Sequence, residues 1–169
     1  MNIYLDMDDV VADWTGYANK FFNTPGRLAQ HYLPDEEWAR LKTKQRMYRD
    51  LEVKSGAYDL VQTINELRIS ETWCKREDLV GLYFLTALPH DDSFPYAPWD
   101  KVRWAERYFV GIPVFFGPYA KDKYKFCTPG DILIDDRKSN CDAWIQAGGK
   151  AHVYTTWENC EPWIREQLK

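Results

Sequence analysis

At 169 residues with a formal net charge of −4 and a pI near 5.4, the chain is sized for one domain that buries about two-thirds of its unfolded surface. The acidic balance excludes a nonspecific nucleic-acid binder, which carries an excess of Lys and Arg, so a phosphate-bearing partner has to be held by local charge. No run approaches the roughly 18 apolar residues of a membrane span, and Asp6 arrives too soon for a signal-peptide core; the expectation is a soluble cytoplasmic protein.

The first element is a short apolar strand through Ile3 and Leu5 that opens into Asp6, Asp8 and Asp9. Carboxylates crowded at a strand end repel one another unless a cation neutralises them, which suggests a Mg2+ site or a carboxylate nucleophile. Val11, Trp14, Ala18 and Phe21 then recur at helical spacing until Thr24-Pro25-Gly26 interrupts them. From Arg27 to about Asp50 the chain is polar, charged and aromatic, with Pro34-Asp35-Glu36-Glu37 reading as a helix start. This stretch has the character of an inserted helical segment. Ser55 is placed to cap a second helix carrying Leu60, Ile64 and Leu67.

Gly81 to Ala87, GLYFLTA, is a continuous apolar run of strand length ending at Thr86. Asp100 is the expected cap of the helix DKVRWAERYF, and IPVFFG, Ile112 to Gly117, the next strand. DILIDD repeats the opening chemistry, placing Ile132 and Ile134 before Asp135 and Asp136. Ser139 and Asp142 match a capping box for the following helix, which Gly148-Gly149 ends before a strand in AHVYT. Strands alternating with helices predict an α/β fold with a doubly wound parallel sheet. Ligands of such sheets bind beyond the carboxyl ends of the strands, where Asp6 and Asp8, Thr86, the lysines after Gly117, and Asp135 with Asp136 all fall.

Asp6-x-Asp8, the strand-terminal Thr86, a lysine and the pair Asp135-Asp136, in that order over nearly the whole chain, resemble the four motifs of haloacid dehalogenase (HAD) superfamily phosphatases. DMDDVVADW and ILIDDR are most similar to the 5'(3')-deoxyribonucleotidase branch. The resemblance implies a Rossmann-like core at 1–15 and 76–169 and a small helical cap at 16–75. It implies a Mg2+-dependent phosphomonoesterase for nucleoside monophosphates, with Asp6 as nucleophile and metal ligand. Asp8 would be the proton shuttle, lending the metal its backbone oxygen; Asp136 would ligate directly and Asp135 stand behind it.

Thr86 and a lysine would bind the phosphate. The family's spacing points to Lys125, whereas the K-x-x-F-C-x-P-G pattern favours Lys123 over Lys121 and Lys125; Lys123 is chosen. Trp14 matches an aromatic that packs on the base, with Trp38, Tyr48 and Tyr58 as weaker candidates. Two departures stand out: Asp9 where many relatives have Gly, and Ala87 where the deoxyribonucleotidases commonly have Ser. The alternatives are a phosphatase for another small metabolite or a polynucleotide 3' end, or an idle nucleotide-binding member. The expected partner is a small nucleotide, with no membrane, no stable nucleic-acid partner, and room for a homodimer. His31, His90 and His152 carry no matched role, Arg137 balances charge, and Cys74, Cys127, Cys141 and Cys160, lacking zinc-like spacing, read as reduced thiols.

Overall fold

Alternation along three strands decides the architecture. In the computed structural model, which describes residues 1–27, 33–74, 80–89, 94–117 and 119–169, β1 (Asn2–Leu5), β2 (Gly81–Ala87) and β4 (Ile132–Asp135) lie side by side. Ile3, Leu5, Leu82, Phe84, Ile132 and Ile134 enter the larger apolar cluster, while Tyr4, Leu85 and Leu133 enter a smaller one with Trp144. Period-two side-chain alternation sends neighbours to opposite faces, so strands covered on both sides read as unbroken apolar runs. Each fully buried aliphatic or aromatic side chain contributes about 1.5–3 kcal/mol.

With the edge strands β3 (Val114–Gly117) and β5 (Lys150–Val153), these form a five-stranded sheet of order β3-β2-β1-β4-β5 in which every pairing is parallel. The order reverses between β1 and β4, so the point where crevices open in such sheets lies between Asp6 and the Asp135-Asp136 pair. On the larger face α4 (Ala57–Cys74) packs against α7 (Trp157–Gln167), and α5 (Ala97–Tyr108) packs against α3 (Met47–Asp50). On the other face α6 (Lys138–Gln146) covers β4 and β5. The remaining helices are α1 (Trp14–Phe22) and α2 (Asp35–Leu41), with a 3-10 segment at Ala120–Phe126.

Several local expectations are corrected. α1 starts at Trp14, because Asp9 takes a left-handed φ of 61° and Asp13 accepts from the Gly16 amide as the actual N-cap. α4 starts at Ala57 after Gly56, whose φ of 78° suits only glycine well, so Ser55 stands outside it. α5 starts at Ala97; Asp100 lies inside its first turn and is fully buried against Arg46, 2.6 Å away. α6 has Arg137 at its N-cap without a side-chain cap bond, and Asp142 pairs instead with Lys138 at 2.6 Å. His31 and His90 lie outside the described residues, as does the side chain of Cys74; the three described cysteines are free thiols. No helix among the described residues is long and apolar enough to cross a membrane.

Candidate active site

The backbone of β1 delivers Asp6 to the crevice: its amide donates to the Ile134 carbonyl at 2.9 Å, continuing the β1–β4 ladder one step past the strand. One Asp6 oxygen accepts from the Met7 amide at 2.7 Å and from the Lys123 ammonium at 2.8 Å. Lys123 comes from the 3-10 segment after β3 and also reaches Asp135 at 2.6 Å. Only 1% of this lysine is exposed. Burial alone would lower its pKa, but Asp135 and Asp6 more than reverse that and hold it above the usual lysine value. Of the three lysines in AKDKYK, Lys125 pairs with Asp122 on the surface, and Lys123 is the one brought to the carboxylates.

Asp135 and Asp136 differ in what they can still bind. Asp135 accepts from Lys123, from the Arg137 amide at 2.9 Å, and from the Asn140 side-chain amide at 2.9 and 3.1 Å. Asp136 has a buried oxygen, Oδ1, with no hydrogen-bond partner. Burial and then the neighbouring Asp6, Asp135 and Asp9 charges push its pKa up to about 8. A carboxyl so disfavoured as an anion is a group waiting for a cation. Carboxylate oxygens of Asp6, Asp135 and Asp136 lie within 4.8 Å of one another, and an all-oxygen donor set suits a hard divalent ion such as Mg2+. The residues present therefore fit a metal.

That displaced pKa carries a pH dependence. A carboxyl ordinarily near 3.8 and held near 8 by the fold binds its proton more tightly folded than unfolded, so stability falls as pH rises from about 4 towards 8. With chelator present, Asp136→Asn should raise Tm at about pH 8 by roughly 2–8 °C, about 1–2 kcal/mol, and leave it unchanged near pH 4. A thermal melt series would show it; an unchanged Tm at the upper pH refutes the raised pKa.

A second cluster adjoins the first. Asp8, whose pKa burial raises against the opposing pull of Lys101, meets the Lys101 ammonium at 2.7 Å, and the same ammonium donates to the Thr86 hydroxyl at 2.8 Å. Thr86 is fully buried at the end of β2. The Tyr48 ring from α3 lies 4.5 Å from the Lys101 nitrogen, and Phe94 packs edge-on against Tyr48 at 5.5 Å. Sequence reasoning missed Lys101 altogether. The usable signal was its place on the buried stripe of α5 with Ala97, Trp104 and Ala105, where a lysine requires a partner.

Asp9 adds its charge beside Asp8 and Asp136, but its own hydrogen bonds go to the loop. Its carboxylate accepts from the Thr15 amide at 2.8 Å and the Thr15 hydroxyl at 2.6 Å, tying the loop to the start of α1. Its φ of 61° lies in the left-handed region, which Asp is among the few residues other than glycine to tolerate. Trp14 is 1% exposed and packs on Trp38 at 5.6 Å. Tyr58 lies apart on the surface against Phe109. His152 stacks on Trp163 at 5.1 Å, and burial lowers its pKa.

The chain is similar over its length to solved hydrolases. It shares 15% identity with a hydrolase from Streptococcus pneumoniae, at a TM-score of 0.52 covering 97% of both chains. With the HAD-hydrolase YfnB from Bacillus subtilis, solved bound to magnesium, it shares 13% identity and a TM-score of 0.53 over 89% of this chain and 84% of that one. A variant of a HAD family enzyme from Bacteroides thetaiotaomicron, solved with magnesium and inorganic phosphate, shows 13% identity and a TM-score of 0.52 over 97% and 98%. No protein-family model and no curated protein matches the sequence. At these identities the shared property is the fold, that of HAD hydrolases.

Proposed function

We propose that this chain is a Mg2+-dependent phosphomonoesterase that hydrolyses nucleoside monophosphates, deoxyribonucleotides by preference, through an aspartyl-phosphate (acyl phosphate) intermediate on Asp6. The observation that carries the reading is the gathering of Asp6, Asp135 and Asp136 within 4.8 Å at the sheet's switch point, beside two buried lysines. Magnesium and phosphate bound in neighbours of the same fold support the same reaction class.

In this reading the free Asp6 oxygen attacks phosphorus in line with the ester bond. As the Asp6 oxygen–phosphorus bond forms and the bond to the nucleoside oxygen breaks, the Asp8 carboxyl proton passes to that oxygen. Water then attacks phosphorus, Asp8 takes the water proton, and the Asp6 carboxylate and inorganic phosphate separate. The Thr86 hydroxyl and Lys123 hold the non-bridging oxygens, the lysine compensating charge that accumulates during transfer. Asp6, Asp136 and the Asp8 carbonyl would hold Mg2+, with Asp135 orienting Lys123 from behind; when bound, the ion supplies charge neutralisation at the phosphate.

In this reading the inserted segment, residues 16–75, supplies the cap; α3 reaches the site through Tyr48, while α4 packs against α7 on the sheet's larger face. A cap of this kind excludes water and selects the leaving group. Trp14 is the proposed base-stacking residue, and Trp38 of α2 is the ring that packs on it here.

The test is phosphate release across deoxyribo- and ribonucleoside 5'- and 3'-monophosphates, with Mg2+ and with chelator. Release that requires Mg2+ and is fastest with deoxyribonucleotides is expected. No release from any nucleotide overturns the reading.

A further inference from the structure

Lys101 is a charge placed where helix packing asks for an apolar residue. It stands on the buried stripe of α5, is 1% exposed, and an ammonium in such a place costs several kcal/mol unless its donors are matched. They are matched: one donor reaches Asp8 at 2.7 Å and one reaches Thr86 at 2.8 Å. The Tyr48 ring, with its centre 4.5 Å away, adds a cation–π contact. A methionine would fill the same volume without the electrostatic demand, so packing alone gives no reason for the charge.

Both partners belong to the proposed chemistry, and each gains a fixed orientation. Lys101 can only donate, so at Thr86 it occupies a hydroxyl lone pair and leaves the hydroxyl proton to be donated elsewhere. Among the described residues the alternative acceptor is the Ala87 carbonyl at 3.5 Å, too far for a good hydroxyl bond. A phosphate oxygen is the natural acceptor. At Asp8 the lysine binds Oδ2, which fixes the carboxyl plane.

We propose that Lys101 is a positioning residue that ties the acid on the leaving-group side, Asp8, to the phosphate anchor, Thr86, and so sets the distance between the two ends of the scissile bond. The inference rests on the phosphomonoesterase reading and adds to it a residue of α5. Lys101 acts through Asp8 and Thr86: the proton still travels from Asp8 to the ester oxygen as the phosphorus–oxygen bond breaks, and the resulting Asp8 carboxylate remains paired with the lysine.

The test compares two leaving groups. A nucleoside alkoxide needs the Asp8 proton to depart, whereas nitrophenolate does not, and kcat/KM reports the step in which either leaves. Lys101→Met should lower kcat/KM for a nucleoside monophosphate by about 100-fold or more, and for para-nitrophenyl phosphate by less than about tenfold. In an Asp8→Asn background the same substitution should bring a much smaller loss on the nucleotide than in the wild type, since coupled residues are not additive, the remainder reporting the tie to Thr86. Equal losses on both esters, or full additivity with Asp8→Asn, would overturn the assignment. If circular dichroism shows Lys101→Met unfolded, Lys101→Arg, which keeps the charge in a bulkier group, carries the same comparison, and an equal loss on both esters again overturns it. A wild-type protein that releases no phosphate overturns the enzymatic reading and this inference together, whereas an active wild type with an unselective Lys101 variant overturns this inference alone.

Discussion

Asp6→Asn should abolish phosphate release, by about four orders of magnitude or more, with the fold retained. An amide oxygen still accepts from the Met7 amide, which now bonds the carboxylate at 2.7 Å, so the loop after β1 has no reason to rearrange. Lys123 keeps Asp135 at 2.6 Å as its counter-ion. What disappears is the anionic oxygen that forms the bond to phosphorus. Acid quenching of turnover with phosphate-labelled substrate should leave base-labile label on the wild-type chain and none on Asp6→Asn. Full activity of the variant, or label at another residue, rejects Asp6 as nucleophile. Asp8→Asn should separate from it by leaving group, the nucleotide suffering more than para-nitrophenyl phosphate.

The sheet was legible because both its faces are covered. Unbroken apolar runs such as GLYFLTA and DILI leave little choice but buried parallel strands, and the structure pairs all five strands parallel in the order of a doubly wound sheet. Helix starts were less legible, and the reason is tertiary. Asp100 has the residue type of an N-cap, yet Pro98 at the second helical position allows α5 to begin earlier, and Arg46 from the inserted segment neutralises the buried Asp100. Asp9 similarly shifted α1, since a left-handed residue in the loop between β1 and α1 is invisible to a periodicity argument. Caps and loop conformations depend on partners far away in sequence, whereas strand burial is written in the strand itself.

At the site the contrast is between residues with a local signature and residues without one. Asp6, Asp8, Thr86 and the Asp135-Asp136 pair could be singled out because each ends an apolar strand, and parallel strands bring their ends together. Lys123 could be narrowed only to a cluster of three, because a 3-10 segment turns successive side chains through unequal environments: Lys123 goes inward and Lys125 to solvent. Lys101 had the weakest signature, one charged residue in an amphipathic helix. Asp8 and Thr86, its partners, are 93 and 15 residues away. Nothing short of the fold brings them together.

Lys123→Met should be the most damaging of the lysine substitutions for stability, and the damage should depend on magnesium. This ammonium sits between Asp6 at 2.8 Å and Asp135 at 2.6 Å, and removing one partner of a buried ion pair costs about 3–5 kcal/mol because the remaining charge is stranded. Here the stranded charges are two carboxylates beside a third, Asp136, already held protonated up to about 8 by its surroundings. Two routes relieve them. Protons can, so the variant should recover stability as pH falls and lose it as pH rises, because carboxyls raised by mutual repulsion bind protons more tightly in the folded chain than unfolded. A divalent cation can as well, so Mg2+ should raise the variant's Tm, by an amount that grows with RT ln(1 + [Mg2+]/Kd). Calorimetric melts of wild type and Lys123→Met, with chelator and with Mg2+ at two pH values, would measure both. A Tm deficit indifferent to pH and to Mg2+ would mean that Lys123 serves only to fill space. Replacement by methionine, close to it in volume, makes that outcome informative, since a loss of charge is then the main thing the experiment changes.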